Sequence, residues 1–398
     1  MALALEGLRV IDLAQGIPGP ACAMQLADLG ADTVKVEPVA GDWLREIGPF
    51  HDPGGESELF LQLNRNKRGI ALDLKTEQGQ DVVSRLIEAA DVLVEGYRPG
   101  VMERLGLGYE ALKERHPRLI YCSISGYGSS GPLAEAAASE IDIQARAGLN
   151  RHLGRPDLPP VRFGFDMAST GAAMAGFQGI MTALLWRERS GEGQHVETSL
   201  LATQVSLVQW DLTADERRQA SVITDPPDVG FMTADGPVLV QIRGVEDGWH
   251  ALIRALGRPE LLADPRFKGP AINVPTLAAA LHNQLSQMPF EAVRALVEDG
   301  LSGTIVRMND LASLLEEPQL DALGSIKTLE GHQTAGAYRT LDVPWTFVDE
   351  EVATLRLPAP VLGQHTREVL RELGYAEAEV RALETQRVVF SWRSGSPS

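Results

Sequence analysis

One aspartate, Asp166, stands directly before a long stretch without charge, residues 167–186. A carboxylate between Phe165 and such a stretch is costly to bury unless it has a partner. Aspartate is favoured at the start of a helix, where its side chain accepts hydrogen bonds from the first backbone N–H groups. It is equally suited to catalysis, because a helix N-terminus keeps the carboxylate ionised. Asp166 is therefore predicted to cap a helix, to act in catalysis, or to do both.

Basic residues gather beside predicted strand ends, although the chain has 36 Lys and Arg against 54 Asp and Glu. The segment NRNKR, residues 64–68, precedes one strand and Lys75 follows it, while Arg98 and Arg104 follow another. Arginine binds phosphate through two parallel hydrogen bonds. We therefore expect a phosphate-bearing ligand near these residues.

Three other kinds of site are not favoured by the residue spacing. A dinucleotide fingerprint needs G-x-G-x-x-G, but the first loop reads QGIPGP at 15–20, and its prolines lack the N–H groups that would hold a phosphate. The serine-rich loop at 126–131 reads GYGSSG, which is not the G-x-S-x-G of a nucleophile elbow. The eight histidines are scattered and form no H-E-x-x-H pair. We expect no nicotinamide cofactor, no hydrolase chemistry by this route and no metal.

The elements that would position these residues alternate between strand and helix. Short apolar runs predict strands and longer periodic segments predict helices. The predicted strands are 8–13, 33–36, 69–74, 92–94, 119–124 and 195–199, and the predicted helices are 21–29, 76–89, 109–116, 167–186 and 200–219. Such alternation predicts an α/β fold with a mostly parallel sheet. Ligands of such sheets bind at the carboxyl ends of the strands.

A second, smaller domain is predicted after the segment TDPPD at 224–228. A chain of 398 residues corresponds to two or three domains at roughly 150 residues each. Residues 231–233 and 238–242 flank an Asp-Gly turn and predict a hairpin, and helices follow it. The chain then returns to strand and loop, with a last helix at 366–373 and a tail, 391–398, that is predicted to be disordered.

Charge and cysteine content limit the partners and the compartment. A net charge of -18 disfavours nucleic acid and anionic membranes. The stretch 167–186 includes Ser169, Thr170 and Gln178, so it is predicted to be a buried helix whose small residues allow close approach of neighbouring backbone, and not a membrane span. The two cysteines are predicted to be buried thiols. The first residues carry no signal-peptide pattern, and we expect a cytoplasmic protein.

Several separate segments resemble the family III CoA-transferases, the superfamily of formyl-CoA transferase, carnitine CoA-transferase and α-methylacyl-CoA racemase. They run in one consistent order from about residue 5 to 375. The segments are LEGLRVIDLAQGIPGPACAMQLADLGADTVKVEP, NRNKRGIALDLK, VEGYRPGVMERLGLGYEAL, SISGYGSSGP, FGFDMASTG, LWRERSGEGQHVETSLL and PAPVLGQHTREVLRELGY.

This resemblance implies a discontinuous domain arrangement and a dimer. A large Rossmann-like CoA-binding domain would comprise residues 1–224 together with 326–398, and a small α+β domain, residues 225–325, would be inserted between them. Two chains of the family interlock as linked rings, so a homodimer is expected.

The resemblance also implies chemistry on coenzyme A, with Asp166 as the nucleophile. The carboxylate would attack the thioester of a donor acyl-CoA, form a mixed anhydride and then an aspartyl-CoA thioester, and pass CoA to an acceptor acid. Lys75 and Arg104 would meet phosphates, and Arg98 is a weaker candidate. The positions that match the family's CoA-binding residues are Gln15, Gly16, Ile17, Pro18, Pro38, Leu72, Lys75, Gly96, Tyr97, Arg98 and Arg104.

Two alternatives remain within this resemblance. The racemase branch uses a His–Asp pair to move the proton α to the thioester carbonyl, and Ser139 and Glu140 stand at those positions here. Serine does not accept a proton near neutral pH without help, so transfer is favoured over racemisation. Glu140 remains a catalytic candidate that would position or polarise intermediates. A non-catalytic acyl-CoA-binding protein is the second alternative, and the presence of Asp166 argues against it.

The acceptor acid is only partly constrained. Formyl-CoA transferases have glutamine at the position of Ile17 and a glycine loop in the small domain, where residues 240–246 read VQIRGVE. Formate and oxalate are therefore disfavoured as substrates. Arg146, Arg151 and Arg162 lie near the nucleophile in sequence, and one of them is a candidate to bind the second carboxylate of a dicarboxylic acid.

Overall fold

The computed structural model describes residues 3–52, 55–152, 159–209, 229–241, 250–265, 274–299, 301 and 303–393. The chain separates into two compact units, of which the first contains Met1–Val208 and Asp321–Ser398 and the second contains Gln209–Leu320. The sequence-based boundaries at 224 and 326 stay predictions, because residues 210–228 lie outside the described ranges.

A seven-stranded sheet forms the centre of the first unit. Its strands are β1 (Arg9–Asp12), β2 (Asp32–Glu37), β3 (Lys67–Leu72), β4 (Val92–Glu95), β5 (Ile120–Ser125), β6 (His195–Ser199) and β12 (Val389–Phe390). Their order in the sheet is β12-β3-β2-β1-β4-β5-β6. All pairings are parallel except that of β12 with β3. The predicted α/β fold with a mostly parallel sheet is confirmed. The strand order reverses between β1 and β4, which is where such sheets leave a crevice for ligands.

Helices cover both faces of this sheet because neighbouring strand residues point to opposite sides. Val10 packs in one apolar core, with residues of the helices at 18–28 and 167–190, and Ile11 packs in the other, with residues of the helices at 77–88 and 366–372. The helices of the first unit are α1 (Pro18–Asp28), α2 (Glu58–Leu63), α3 (Glu77–Glu88), α4 (Val101–Arg104), α5 (Tyr109–Arg115), α6 (Glu140–Arg146), α7 (Met167–Ser190), α8 (Leu200–Leu207), α14 (Thr366–Glu372) and α15 (Glu377–Thr385).

The uncharged stretch forms the long helix α7, as the sequence predicts. Its small residues let the sheet approach closely: a Cβ on Gly179 would lie 2.5 Å from a methyl carbon of Val196 on β6. The expectation that these glycines admit neighbouring backbone is wrong, because the atoms nearest to Gly171, Gly176 and Gly179 belong to side chains of adjacent strands and helices. Among the described residues, no helix combines the length and hydropathy needed to cross a bilayer. Cys22 and Cys122 are free and buried, as predicted.

The C-terminal region holds two elements that the sequence analysis missed. Helix α15 and strand β12 follow α14, and β12 adds an antiparallel edge to the sheet. The predicted disordered tail begins too early, because the Trp392 N–H donates to the Gly363 carbonyl at 3.1 Å; residues 394–398 lie outside the described part. A hairpin of β10 (Ile326–His332) and β11 (Gly336–Leu341) also belongs to the first unit.

The second unit contains an antiparallel sheet of order β7-β8-β9, from strands β7 (Val229–Thr233), β8 (Gly236–Gln241) and β9 (Thr304–Arg307). The predicted hairpin is confirmed by the pairing of β7 with β8. Its described helices are α9 (His250–Ala255), α10 (Val274–Leu285), α11 (Phe290–Arg294) and α12 (Leu311–Leu315), and α13 (Pro318–Ala322) includes the boundary at Leu320. Residues 242–249 lie outside the described part, so the expectation about a glycine loop at 240–246 stays a prediction.

Candidate active site

A cavity of about 460 Å³ opens in the first unit where the strand order reverses. The loops that follow β1 and β4 form one side of it, and the N-terminal ends of α6 and α7 form another. Of the residues predicted for the site, Ile17, Pro18, Gly96, Tyr97, Arg98, Glu140 and Asp166 line this cavity. The other lining residues include Trp43, Pro99, Ser125, Gly126, Ser139, Ser169 and Leu200.

Asp166 occupies the N-cap position of α7, but its side chain makes no capping hydrogen bond. The expectation that its carboxylate caps the helix is therefore wrong. Its Oδ1 instead lies 3.1 Å from Nη2 of Arg162, and 34% of the aspartate side chain is exposed. The carboxylate is open to the cavity and is not engaged with the backbone that follows it.

Glu140 caps α7 in place of Asp166. Its Oε1 accepts the Ala168 N–H at 2.7 Å, and its Oε2 accepts the Ser169 N–H at 3.0 Å and the Ser169 hydroxyl at 2.9 Å. A carboxylate at this position compensates the positive end of the helix dipole. Because these N–H groups are taken by Glu140, the Asp166 carboxylate is left for other partners.

Gln144 is a positioning residue that the sequence analysis missed. It is fully buried on α6, donates to Glu140 Oε1 at 2.9 Å and accepts the Phe163 N–H at 3.2 Å. The side chain thereby links the capping carboxylate to the segment that leads into Asp166. The four-residue spacing of Glu140 and Gln144 within a helix was a signal for this pairing.

The loop after β1 is shaped by Gly16 and Asp42. Gly16 has a φ of 75°, and a Cβ there would lie 2.4 Å from the Trp43 ring, so glycine is required both by the backbone and by the close approach. Both carboxylate oxygens of Asp42 accept the Gly16 N–H, at 3.0 and 3.1 Å. This contact presents Ile17 and Pro18 to the cavity.

Four charged residues, Asp12, Lys35, Asp42 and Lys67, lie fully buried under this loop, and we call them the buried ion layer. Lys35 Nζ contacts Asp42 at 2.9 Å, and Lys67 Nζ contacts Asp12 at 2.8 Å. Burial opposes the charge on Lys35, but Asp12 and Asp42 outweigh it and raise the pKa of that lysine. Burial lowers the pKa of Lys67 to about 8, in spite of the Asp12 carboxylate.

The basic segment 64–68 is structural, which corrects the expectation of a phosphate site there. Lys67 belongs to the buried ion layer and also donates to the carbonyl of Pro20 at 2.7 Å. Arg65 pairs with Asp28 at 2.7 Å, and Arg68 pairs with Asp32 at 2.8 Å. These cations are already neutralised within the first unit, and sequence spacing alone did not reveal their partners.

The remaining candidates for CoA binding lie at different depths. Gln15 is half-buried in the loop after β1, and Pro38 is half-buried just after β2. The Leu72 side chain is fully buried in the core and does not line the cavity. Lys75 and Arg104 are exposed and also stand outside the lining.

A second cavity, of about 260 Å³, contains a serine–histidine contact that the sequence analysis did not anticipate. Ser123 Oγ lies 2.9 Å from Nε2 of His195. The nearest carboxylate to this histidine, Glu197, lies 3.8 Å from the same nitrogen. A catalytic triad needs the carboxylate on the opposite ring nitrogen, so this contact lacks that arrangement. Among the described residues, no group of three His, Cys, Asp or Glu side chains forms a metal site.

Comparison with known proteins gives a consistent result. Residues 5–366 match the model of CoA-transferase family III. The chain is 33% identical over 390 residues to the succinyl-CoA:mesaconate CoA-transferase of Haloarcula hispanica, covering 93% of this chain and 96% of that protein. It is 31% identical over 421 residues to the formyl-CoA:oxalate CoA-transferase of Streptomyces coelicolor, covering 98% and 100%.

A solved structure shares the fold. The crystal structure of a CAIB/BAIF family protein from Brucella suis superposes with a TM-score of 0.81 at 31% identity. The match covers 94% of this chain and 100% of the Brucella suis chain.

Proposed function

The chain belongs to CoA-transferase family III, and on that premise we propose that it moves CoA from an acyl-CoA thioester to a free carboxylic acid through covalent intermediates on Asp166. One observation supports this assignment above the others. The Asp166 carboxylate faces a cavity, while Glu140 accepts the backbone N–H groups at the start of α7, the helix that follows Asp166. A carboxylate that is not needed for the fold at this position is available for chemistry.

The proposed reaction begins with attack of an Asp166 oxygen on the thioester carbonyl of the donor. The C–S bond breaks, CoA leaves as a thiolate, and a mixed anhydride forms. The thiolate then attacks the aspartyl carbonyl, so that the donor acid leaves as a carboxylate and an aspartyl-CoA thioester remains. The acceptor carboxylate attacks this thioester, and a second anhydride forms as thiolate leaves. That thiolate takes the acceptor acyl group and restores the Asp166 carboxylate.

Glu140 is proposed to act through position. Its contacts with Ala168 and Ser169 hold the start of α7, and Gln144 holds Glu140. The geometry of Asp166 relative to the cavity depends on this capped helix end. Preorganised groups of this kind reduce the reorganisation that each step would otherwise require.

We propose that CoA lies along the loops after β1 and β4. Gln15 to Pro18 and Gly96 to Arg98 would contact the pantetheine arm, with Ile17, Pro18 and Tyr97 already lining the cavity. Lys75, Arg98 and Arg104, which are exposed cations, would meet the phosphates. Pro38 and Leu72 would bound the nucleotide, Leu72 through its backbone because its side chain is buried.

A dicarboxylic acid is the proposed acceptor. The relatives named for mesaconate and oxalate both act on dicarboxylates, and their identities to this chain are 33% and 31%. These two identities are too similar to distinguish mesaconate from oxalate as the acceptor. The sequence-based exclusion of formate and oxalate therefore stays a prediction.

Racemisation is the weaker alternative at this site. The residue at the racemase histidine position, Ser139, caps α6 and donates its hydroxyl to Asp142 at 2.6 Å. Such a hydroxyl is engaged and supplies no base. Deuterium incorporation at the α carbon of a branched acyl-CoA in D₂O would favour racemisation.

We also infer a cytoplasmic homodimer. Leu185 and Trp186 on α7 are 58% and 50% exposed, and apolar surface of this kind is typical of interfaces. Light scattering on the purified protein tests the dimer, and the mass of a single chain would contradict it.

The experiment that tests the function is intact-protein mass spectrometry after incubation with a panel of acyl-CoAs that includes succinyl-CoA. Wild type should gain the mass of CoA less one water at Asp166, and hydroxylamine should remove it. The Asp166→Asn variant should gain nothing and should lose at least about a thousandfold in turnover. Asp81→Asn, which changes an exposed aspartate on α3, is the matched control and should behave as wild type. An adduct that persists in Asp166→Asn would overturn the proposal.

A further inference from the structure

Arg162 is the partner of the nucleophile. Its Nη2 lies 3.1 Å from Asp166 Oδ1, and its side chain is 48% exposed. Among the described residues, this is the one hydrogen bond that the Asp166 carboxylate makes. An ion pair with this exposure is weak because water screens both charges, so Arg162 is released readily once Asp166 loses its charge.

The backbone donors nearest to Asp166 are already used. The Met167 N–H donates to the Phe165 carbonyl at 3.0 Å, and the next two N–H groups donate to Glu140. The Arg162 guanidinium is therefore the donor that reaches the Asp166 carboxyl group. A group that attacks the Asp166 carbonyl must arrive within reach of the same guanidinium.

The cavity wall otherwise repels an incoming acid. Its described lining contains two carboxylates, Glu140 and Asp166, and one guanidinium, Arg98. A carboxylate substrate that enters while Asp166 is ionised meets both carboxylates of this lining, and the guanidinium of Arg162 is already paired with one of them. Like charges brought together at such a site weaken binding.

Covalent catalysis removes this obstacle. When Asp166 becomes an anhydride or a thioester, its negative charge disappears, and Arg162 loses its ionic partner. The guanidinium then stands beside the electrophilic carbonyl with its donors free. Arginine is suited to the next event, because its planar fork binds a carboxylate through two parallel hydrogen bonds.

We propose that Arg162 is the acceptor-binding residue: it pairs with Asp166 in the free enzyme and, once Asp166 carries CoA, with the reacting carboxylate of the incoming acid. The inference rests on the function proposed above. The same charge change orders the reaction, since the acceptor acid is held only after the donor has acylated Asp166. When the second thiolate attack restores the Asp166 carboxylate, Arg162 pairs with Asp166 again and no longer binds the acid.

The test compares two half-reactions in Arg162→Ala and wild type. Succinyl-CoA alone reports formation of the aspartyl-CoA adduct, and added acid reports its consumption. Adduct formation should stay within about threefold of wild type, whereas the KM for the acceptor should rise roughly 10- to 100-fold, which is the range for a lost hydrogen bond to a charged group. The adduct should accumulate during turnover. Acetate and succinate should be affected alike, because the reacting carboxylate is common to both.

Two further variants make the result specific. Arg162→Lys keeps the charge without the fork, and it should recover part of the acceptor KM. Arg85→Ala breaks an ion pair of the same spacing and the same 3.1 Å length, with Asp81 on α3, away from the cavity. It should leave both half-reactions unchanged.

Each contrary result has a separate meaning. If wild type forms no adduct, the proposed function fails. If wild type forms the adduct but Arg162→Ala keeps the acceptor KM within twofold, the role of Arg162 fails alone. An equal loss in both half-reactions would also overturn it, since Arg162 would then orient Asp166. An effect on succinate without an effect on acetate would assign Arg162 to the remote carboxylate and would overturn the proposal as stated.

Discussion

Two charged regions of the first unit differ in how their ions are held. In the buried ion layer, Lys35 and Asp42, and Lys67 and Asp12, have no exposed side-chain surface, and each cation has additional hydrogen bonds to carbonyl oxygens. At the proposed nucleophile, Asp166 and Arg162 are 34% and 48% exposed and make a single contact. The first region lies beneath a loop that lines the cavity, and the second lies at the cavity itself and holds the carboxylate that we propose to react.

The difference shows what each kind of ion pair can do. A buried pair is held by the cost of leaving one charge without its partner, so it does not exchange. An exposed pair costs little to open, so a substrate can take the place of either member. The fixed pairs therefore suit a scaffold, and the exchangeable pair suits covalent chemistry.

The largest effect that would sharpen this comparison is expected for Lys67→Met. The change leaves Asp12 buried without its cation, together with the Pro20 carbonyl and Asn64 that the lysine also contacts. We expect the free energy of unfolding to fall by roughly 3–5 kcal/mol, measured by urea denaturation. Arg162→Ala, which breaks the exposed pair, should change it by less than about 1 kcal/mol. Equal losses in the two variants would show that the two regions do not differ.

A medium effect is expected from His332, which is buried at the end of β10. Its Nδ1 accepts the Ala335 N–H at 3.0 Å, and Thr334 links it to Glu56, the partner of Arg45. Burial, with the charges of Arg45 and His51, lowers its pKa to about 4.

The sign of the pH effect follows from this lowered pKa. The unfolded chain takes up a proton near pH 6.5 and the folded chain only near 4, so the free energy of unfolding should fall as the pH drops through that interval. His332→Asn keeps an acceptor without the titration, and it should remove roughly 1–3 kcal/mol of this fall. Urea titrations of both proteins at pH 7 and pH 4.5 measure it. Parallel pH profiles would contradict the assignment.

The smallest effect is expected at the start of α7, where Glu140 accepts the capping hydrogen bonds and Asp166 does not. Glu140→Ala removes the acceptor of two α7 N–H groups and should lower the free energy of unfolding by about 1–2 kcal/mol. Asp166→Asn, which removes no capping bond, should lower it by less than about 0.5 kcal/mol. Thermal and urea unfolding of both variants provide the measurement. A larger loss from Asp166→Asn would mean that Asp166 also stabilises the fold.

Much of the fold was predictable because it depends on local pattern. The strands β1 to β6 follow from short apolar runs, and α7 follows from an uncharged stretch that begins after an aspartate. The edge strand β12, of two residues, was not predictable, because its pairing with β3 joins segments more than three hundred residues apart. Helix α15 was missed although its sequence, EAEVRALET, is rich in good helix formers.

The sequence by itself determined the family, the order of the elements and the place of Asp166 at a helix start. Only the tertiary structure decided which charges are used. Glu140, from another helix, takes the N–H groups that Asp166 was expected to take, and Lys67 turns inward to Asp12 instead of meeting a phosphate. The reason is physical. Capping and ion pairing depend on the distance between two groups in the folded chain. Residue types along the sequence do not show which of several similar groups will lie within that distance.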